Sequence, residues 1–258
     1  MAKIKVQSQY NGIVLLKSIF VMTVTFIPCY YYFAFQVIKD FAPTCWEGVF
    51  TSVATSPGIA SQFWITIALM FYLVTMNALK KYQLIRMRDK KQWMCRQINS
   101  LFFNCVALSF VHTVLILVMN LLVFGAPQTF DIQRLLWQNV YVNYSIYFIL
   151  FMALLIKALS SFVMVLLGLL ILVFVKKPLL SGIIISLYTI CCSLVLFYNK
   201  FLVGEFYKYL IFPSAISHWF FCSGSVVNNY LAGICMPMLL TMILIPVLFV
   251  AVKRQEFF

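Results

Sequence analysis

The sequence contains few acidic residues and few charges of any kind. Asp and Glu together make up six of its 258 residues, and all charged residues together make up 10%. A soluble domain has about a quarter charged residues and about half apolar ones, whereas this chain is 64% apolar. A water-soluble fold is therefore excluded, and we expect a single domain of residues 1–258 embedded in a bilayer.

The motifs of most soluble enzymes are absent as well. The chain has only two His residues, no G-x-x-x-x-G-K-[ST] motif for binding ATP and no C-x-x-C pair. We therefore expect no catalytic residues, no metal and no cofactor.

Of the eight Cys residues, Cys45 and Cys222 fall in predicted outer loops, and whether they pair is left open.

Basic residues are abundant, with 19 Lys and Arg giving a net charge of +13. They cluster at the ends of apolar runs, which is typical of membrane proteins and not of a nucleic-acid-binding face. We therefore expect no nucleic-acid partner, while anionic membrane lipid is a possible contact.

Six apolar runs are long enough to cross about 30 Å of hydrocarbon as helices. Their approximate limits are 12–38, 62–79, 97–124, 145–175, 179–198 and 230–252. The fourth is ambiguous, because 141–175 could be one span or two. A single span places Lys176-Lys177 and Lys253-Arg254 on the same side as the other basic clusters, so one span is preferred. The predicted fold is an all-α integral membrane protein with six transmembrane helices.

The distribution of Lys and Arg orients these spans. With both termini in the cytoplasm, 14 Lys and Arg residues lie inside, four lie outside and Lys157 lies within the membrane. Lys and Arg are disfavoured in translocated short loops, so this orientation is the one expected in a plasma membrane. The segment 201–229 is too apolar for an ordinary outer loop, and it could form re-entrant helices or lie flat at the surface.

Residues 80–96 form the most basic loop, with seven of the 19 Lys and Arg and one acid. Asp89 and Gln92 have capping-box spacing, which predicts that Asp89 caps the third helix. Lys90, Lys91 and Trp93 then lie in its first turns, where cations oppose the helix dipole. The loop therefore serves either topology alone or the docking of a soluble partner.

A few polar residues lie inside the predicted spans. Lys157 is the costliest, at about 2.5–3.5 kcal/mol near the bilayer centre, so it should face protein or water. It could contact an anionic group in a translocation path, or it could snorkel or satisfy a broken helical turn. The other polar residues could bond between helices or line the same path. The candidates for the path are Lys157, Asn77, Asn104, His112 and Asn120.

The pattern as a whole resembles a membrane subunit of a type-2 ABC exporter, of the small bacterial kind associated with peptide or bacteriocin export and immunity. Three features carry the resemblance over essentially the full chain. They are the loop Leu84-Ile-Arg-Met-Arg-Asp-Lys-Lys-Gln-Trp93, the long fourth span ending in Lys176-Lys-Pro-Leu-Leu180, and the apolar outer segment before a sixth span that closes on Lys253-Arg254. Residues 1–11 are short for the amphipathic N-terminal helix of that family.

The resemblance implies a bacterial plasma-membrane permease that exports an amphipathic or hydrophobic substrate, a peptide above all. It implies two permease copies, identical or related, and two separate ATPase subunits that bind ATP and Mg²⁺. By position, the contacts that couple the permease to the ATPase would be Arg86, Arg88, Asp89, Lys90, Lys91 and Trp93. Two alternatives remain: an ATP-independent channel or secondary transporter, and a membrane scaffold protein that transports nothing.

Overall fold

A computed structural model describes residues 2–33, 90–125, 146–175, 177, 179–188 and 226–254, together with the single residues 45, 49, 65, 68 and 69. This part of the chain is all-helical and contains no strand. Its helices are α1 (Ala2–Phe33), α2 (Lys90–Phe124), α3 (Ile146–Val175), α4 (Leu179–Tyr188) and α5 (Val226–Arg254).

Two helical segments, Met94–Phe124 and Leu150–Val175, are long and apolar enough to cross a membrane. Gly12–Pro28, Leu179–Tyr188 and Pro237–Lys253 are shorter apolar helical segments. The all-α prediction is therefore confirmed for the described residues, and so is the capacity of two helices to span a bilayer.

The observed helix limits can be compared with three of the predicted spans. The stretch that could have been one span or two is a single helix from Ile146 to Val175, about 45 Å long at 1.5 Å per residue. α2 begins at Lys90, where the predicted cap at Asp89 would place it, although Asp89 itself lies outside the described residues. α5 begins at Val226, four residues before the predicted span at 230.

The first helix extends beyond the predicted first span. The span was predicted to begin at about Gly12, and α1 begins ten residues earlier, at Ala2, which adds about 15 Å of helix. None of these residues is a proline, and Gly12 only weakens a helix without ending it. Apolar content alone marks where a bilayer could lie, not where a helix has to start.

The end of α2 is set by Gly125, as the Gly125-Ala-Pro127 sequence predicts. Gly125 has φ +80°, and its N–H donates to the carbonyl of Leu121 at 3.0 Å. This left-handed residue is the ordinary helix C-cap, which glycine adopts without strain. The chain therefore leaves the helix axis at this residue.

α3 is the central helix of the described bundle. It packs against α2 and, most extensively, against α5, while α1 packs on α2. α4 meets α3 at its first turn, where the Ser181 hydroxyl donates to the carbonyl of Gly168 at 2.8 Å. The Ser181 N–H donates to the carbonyl of Lys177, which fixes the first turn of α4.

Three described residues of the predicted second span also belong to the core. Ile65, Ala68 and Leu69 are helical, fully buried and part of the same apolar cluster as residues of α2 and α3. Their spacing of three and four residues puts them on one helical face. The remainder of 62–79 lies outside the described residues.

Candidate functional site

The candidate site is a row of buried polar side chains along α2. Asn104, His112 and Asn120 are spaced by eight residues, and each is rotated by about 80° from the one before it, so the three side chains wind around α2 as they follow its length. The row extends about 24 Å from Asn104 to Asn120 at 1.5 Å per residue. All three side chains are buried, at 7%, 0% and 0% exposure.

Lys157 meets this row from α3. Its side chain is 2% exposed, and its Nζ lies 3.5 Å from Nδ1 of His112, at the outer limit of a hydrogen bond. When Lys157 is protonated, its ammonium can only donate, so Nδ1 accepts and the imidazole proton lies on Nε2. Nε2 has no hydrogen-bond partner among the described residues.

Ser160 and Ser161 extend the polar surface on α3. They follow Lys157 by three and four residues, so they lie one turn along the same helical face. Both are buried.

Phe102 of α2 packs edge-to-face on Phe162 with ring centroids 5.3 Å apart. Phe102 precedes His112 in α2, whereas its contact Phe162 follows Lys157, the contact of His112, in α3. The two helices are therefore antiparallel.

α1 closes the other side of the row with aromatic rings. Phe26 packs edge-on against His112 with centroids 4.8 Å apart, and it stacks on Tyr30 at 4.9 Å. The Asn120 amide donates to the Tyr30 hydroxyl at 2.8 Å and to the carbonyl of Ile116 at 2.8 Å. The two contacts occur in the same order along both helices, with Phe26 before Tyr30 in α1 and His112 before Asn120 in α2. The helices α1 and α2 are therefore parallel.

The row holds more hydrogen-bonding groups than partners. Among the described residues, the buried atoms of this region without a partner are Asn104 Nδ2, Ser109 Oγ, His112 Nε2, Asn120 Oδ1 and Ser161 Oγ. Each such group costs about 1–3 kcal/mol when it is left unsatisfied. Native folds keep few of these groups, and each one calls for an explanation such as a bound water or ion.

Four of the five predicted path residues are therefore buried on α2 and α3. The structure brings Lys157 and His112 together and places Asn104 and Asn120 on either side along α2. Asn77 lies outside the described residues. The sequence prediction missed Tyr30, Phe26 and Ser109, which an apolar span conceals, whereas Ser160-Ser161 could have been found from their spacing to Lys157.

Little of the predicted coupling surface is described. Lys90 is the first residue of α2, and the side chain of Lys91 is exposed. Arg86, Arg88 and Asp89 lie outside the described residues, as do the side chains of Lys90 and Trp93. Cys45, one of the two cysteines whose pairing was left open, is a buried free thiol, and Cys222 is not described.

No protein-family model, no curated protein and no solved structure matches the chain.

Proposed function

We propose that the chain is the permease subunit of an ATP-driven exporter in a bacterial plasma membrane. It would move an amphipathic or hydrophobic substrate, such as a peptide, and a separate ATPase would supply the energy. The observation that carries this proposal is the polar row of Asn104, His112, Asn120 and Lys157, buried between apolar helices. Polar side chains at such depth are costly, so they usually mark a substrate or ion pathway.

The surface of the bundle supports a lipid environment. Large apolar side chains stand exposed in rows spaced by three or four residues, as on the outer faces of α1 and α2. A soluble monomer rarely exposes apolar patches of this extent, whereas lipid chains cover them without cost. The most exposed in these two helices are Leu16, Phe20, Phe103, Phe110 and Leu122.

A topology of six spans with both termini in the cytoplasm is part of this proposal, and helix directions and charge support its orientation of α1, α2 and α3. Because α1 and α2 are parallel, the chain has to return between Phe33 and Lys90, and the predicted span at 62–79 is one such return. α3 runs antiparallel to α2, so its C-terminal end lies on the side where α1 and α2 begin. The basic residues at the starts of α1 and α2 are therefore on the same side as Lys177, as the positive-inside rule requires.

The coupling role belongs in this proposal to the loop 80–96. α2 starts at Lys90, so residues 90–96 of this segment already belong to the 35-residue helix that carries the polar row. A force applied by an ATPase at this loop would reach His112 through a rigid element, and rigid-body tilting of helices is a common route to alternating access. The complete assembly would hold two permease copies, identical or related, with two ATPases.

Co-purification with nucleotide hydrolysis tests the proposal. The chain should be extracted from its native membrane under mild conditions, and ATP hydrolysis should be measured in the purified sample. We expect a stoichiometric P-loop ATPase whose activity rises when hydrophobic peptide is added. A sample that transports peptide without any ATPase would favour the channel or secondary-transporter alternative, and a sample that transports nothing would favour the scaffold.

A further inference from the structure

The pair formed by Lys157 and His112 has no acidic counterpart in the described bundle. Not one Asp or Glu occurs among the described residues, because all six acids of the chain lie outside them. The partner of the Lys157 ammonium is instead the Nδ1 atom of a second base, 3.5 Å away. Within the part of the chain that the structure describes, the buried Lys157 side chain thus has no negative charge beside it.

The neighbouring unpaired groups are able to donate hydrogen bonds. His112 Nε2 has no partner among the described residues, and neither do the hydroxyls of Ser109 and Ser161, which lie about one helical turn from His112 and Lys157. With Nδ1 accepting from Lys157, Nε2 carries a proton. With Lys157 protonated, the region therefore presents one positive charge and an excess of donors, which is the complement of a ligand that only accepts.

Apolar contacts limit the kind of anion. Phe26 covers one edge of the His112 ring, and Ile156 and Ala158 on either side of Lys157 are buried. A single positive charge in such surroundings balances a single negative charge, whereas a dianionic phosphate would leave an excess. A carboxylate has one charge and two acceptor oxygens, enough to bond an ammonium and a second donor together.

We propose that the Lys157–His112 pair binds the carboxylate of the exported substrate, specifically the free C-terminal carboxylate of a hydrophobic peptide. This inference rests on the proposed transport function, and it names the part of the substrate that the site binds. Lys157 supplies the charge, and donors of the polar row hold the second oxygen. The apolar body of the peptide then lies along the aromatic and aliphatic surfaces beside the row.

The test compares two peptides that differ only at the C-terminus. The full chain is placed in nanodiscs of phosphatidylcholine, which carries no net charge, and binding of a leucine-rich hexapeptide is measured with a free carboxylate and with a C-terminal amide. We expect the carboxylate peptide to bind about tenfold more tightly, or more. Lys157→Met should remove this preference, while Lys157→Arg should retain most of it.

A direct reporter is available because the chain has only two His residues. In the His218→Gln background, ¹⁵N-labelled histidine gives the signal of His112 alone. The carboxylate peptide should shift this signal, and the amide peptide should leave it unchanged. Ser181→Ala is the matched control, since it alters a buried hydroxyl at the α3–α4 contact and should preserve both the shift and the preference.

The outcomes separate this inference from the transport proposal. Equal affinity for the two peptides, or a carboxylate preference that survives Lys157→Met, would overturn the binding site even if ATP-driven transport is observed. A clear preference without ATP-driven transport would support the binding site and refute the exporter. Lys157→Met removes a buried charge and so should fold; if it does not, Lys157→Gln serves as the uncharged variant.

Discussion

The side-chain amide of Asn120 donates to the hydroxyl of Tyr30 at 2.8 Å, joining two helices whose residues are 90 positions apart in the chain. Both side chains are buried, at 0% and 6% exposure. This bond fixes the register of α1 against α2 one to two turns from Phe26 and His112. The polar row is thus held in place at one end by a hydrogen bond and in its middle by an aromatic contact.

A double-mutant cycle measures what this bond contributes. We expect Tyr30→Phe and Asn120→Leu to be coupled by about 0.6 kcal/mol and by no more than about 1.7 kcal/mol, the range found for hydrogen bonds between helices in membranes. Reversible unfolding of the purified protein in mixed micelles gives the four free energies. Coupling of zero would mean that the two side chains do not meet in the folded protein.

Two glycines should respond to alanine in opposite directions. A Cβ at either Gly12 or Gly125 would meet nothing within 4 Å, so the backbone alone decides. Gly125 has φ +80°, and Gly125→Ala should cost about 1–2 kcal/mol. Gly12 lies inside α1, where Gly12→Ala should stabilise the helix by about 0.5–1 kcal/mol.

The same unfolding assay checks this pair, and each variant is the control of the other. If Gly125→Ala proved neutral, α2 would not end in a left-handed residue at this position. If Gly12→Ala were destabilising, α1 would not run unbroken from Ala2.

The orientation of α2 can be measured through Cys95, whose side chain is exposed near the start of the helix. In a chain that retains only this cysteine, a membrane-impermeant maleimide should label inside-out vesicles and leave intact cells unlabelled. Ala126→Cys in a cysteine-free chain, just beyond the opposite end of α2, should give the reverse pattern. Labelling of both positions from one side would mean that α2 does not cross the membrane.

The sequence was enough to predict the helices and much of the row. Apolar length located α2 and α3, the Gly125-Ala-Pro127 signal ended α2 correctly, and the positions of Lys and Arg favoured one span over two between 141 and 175. Lys157 and His112 stood out because a charge or an imidazole is rare in such runs. These predictions needed only local composition and the periodicity of a helix.

The partners of these residues could not be predicted in the same way. Nothing in the sequence near Asn120 points to Tyr30, because their contact depends on how α1 and α2 pack. In an apolar helix most faces are equally hydrophobic, so the pattern does not reveal which face turns inward. The start of α1 at Ala2 was missed for a related reason, since hydropathy reports lipid contact and not helix limits.

Charge reversal at the cytoplasmic loop tests the coupling proposal. Arg88→Glu with Lys91→Glu should lower peptide-stimulated ATP hydrolysis by about tenfold or more, because buried or partly buried charge pairs at an interface cost several kcal/mol when one sign is reversed. The chain should still insert in the membrane. Lys253→Glu, which reverses an exposed cation outside the loop, is the control and should leave the stimulation intact. If the double variant kept its full peptide-stimulated ATP hydrolysis, the loop would have no role in coupling.

Transport into inside-out vesicles tests the central claim most directly. Vesicles that contain the chain and its ATPase are given a fluorescent hydrophobic peptide, with ATP or with a non-hydrolysable analogue. We predict that the peptide accumulates against its gradient only with ATP, and that the Arg88→Glu, Lys91→Glu variant fails to accumulate it. Accumulation that is equal with the analogue, or no accumulation despite active ATP hydrolysis, would contradict the assignment of this chain as the permease of an ATP-driven exporter.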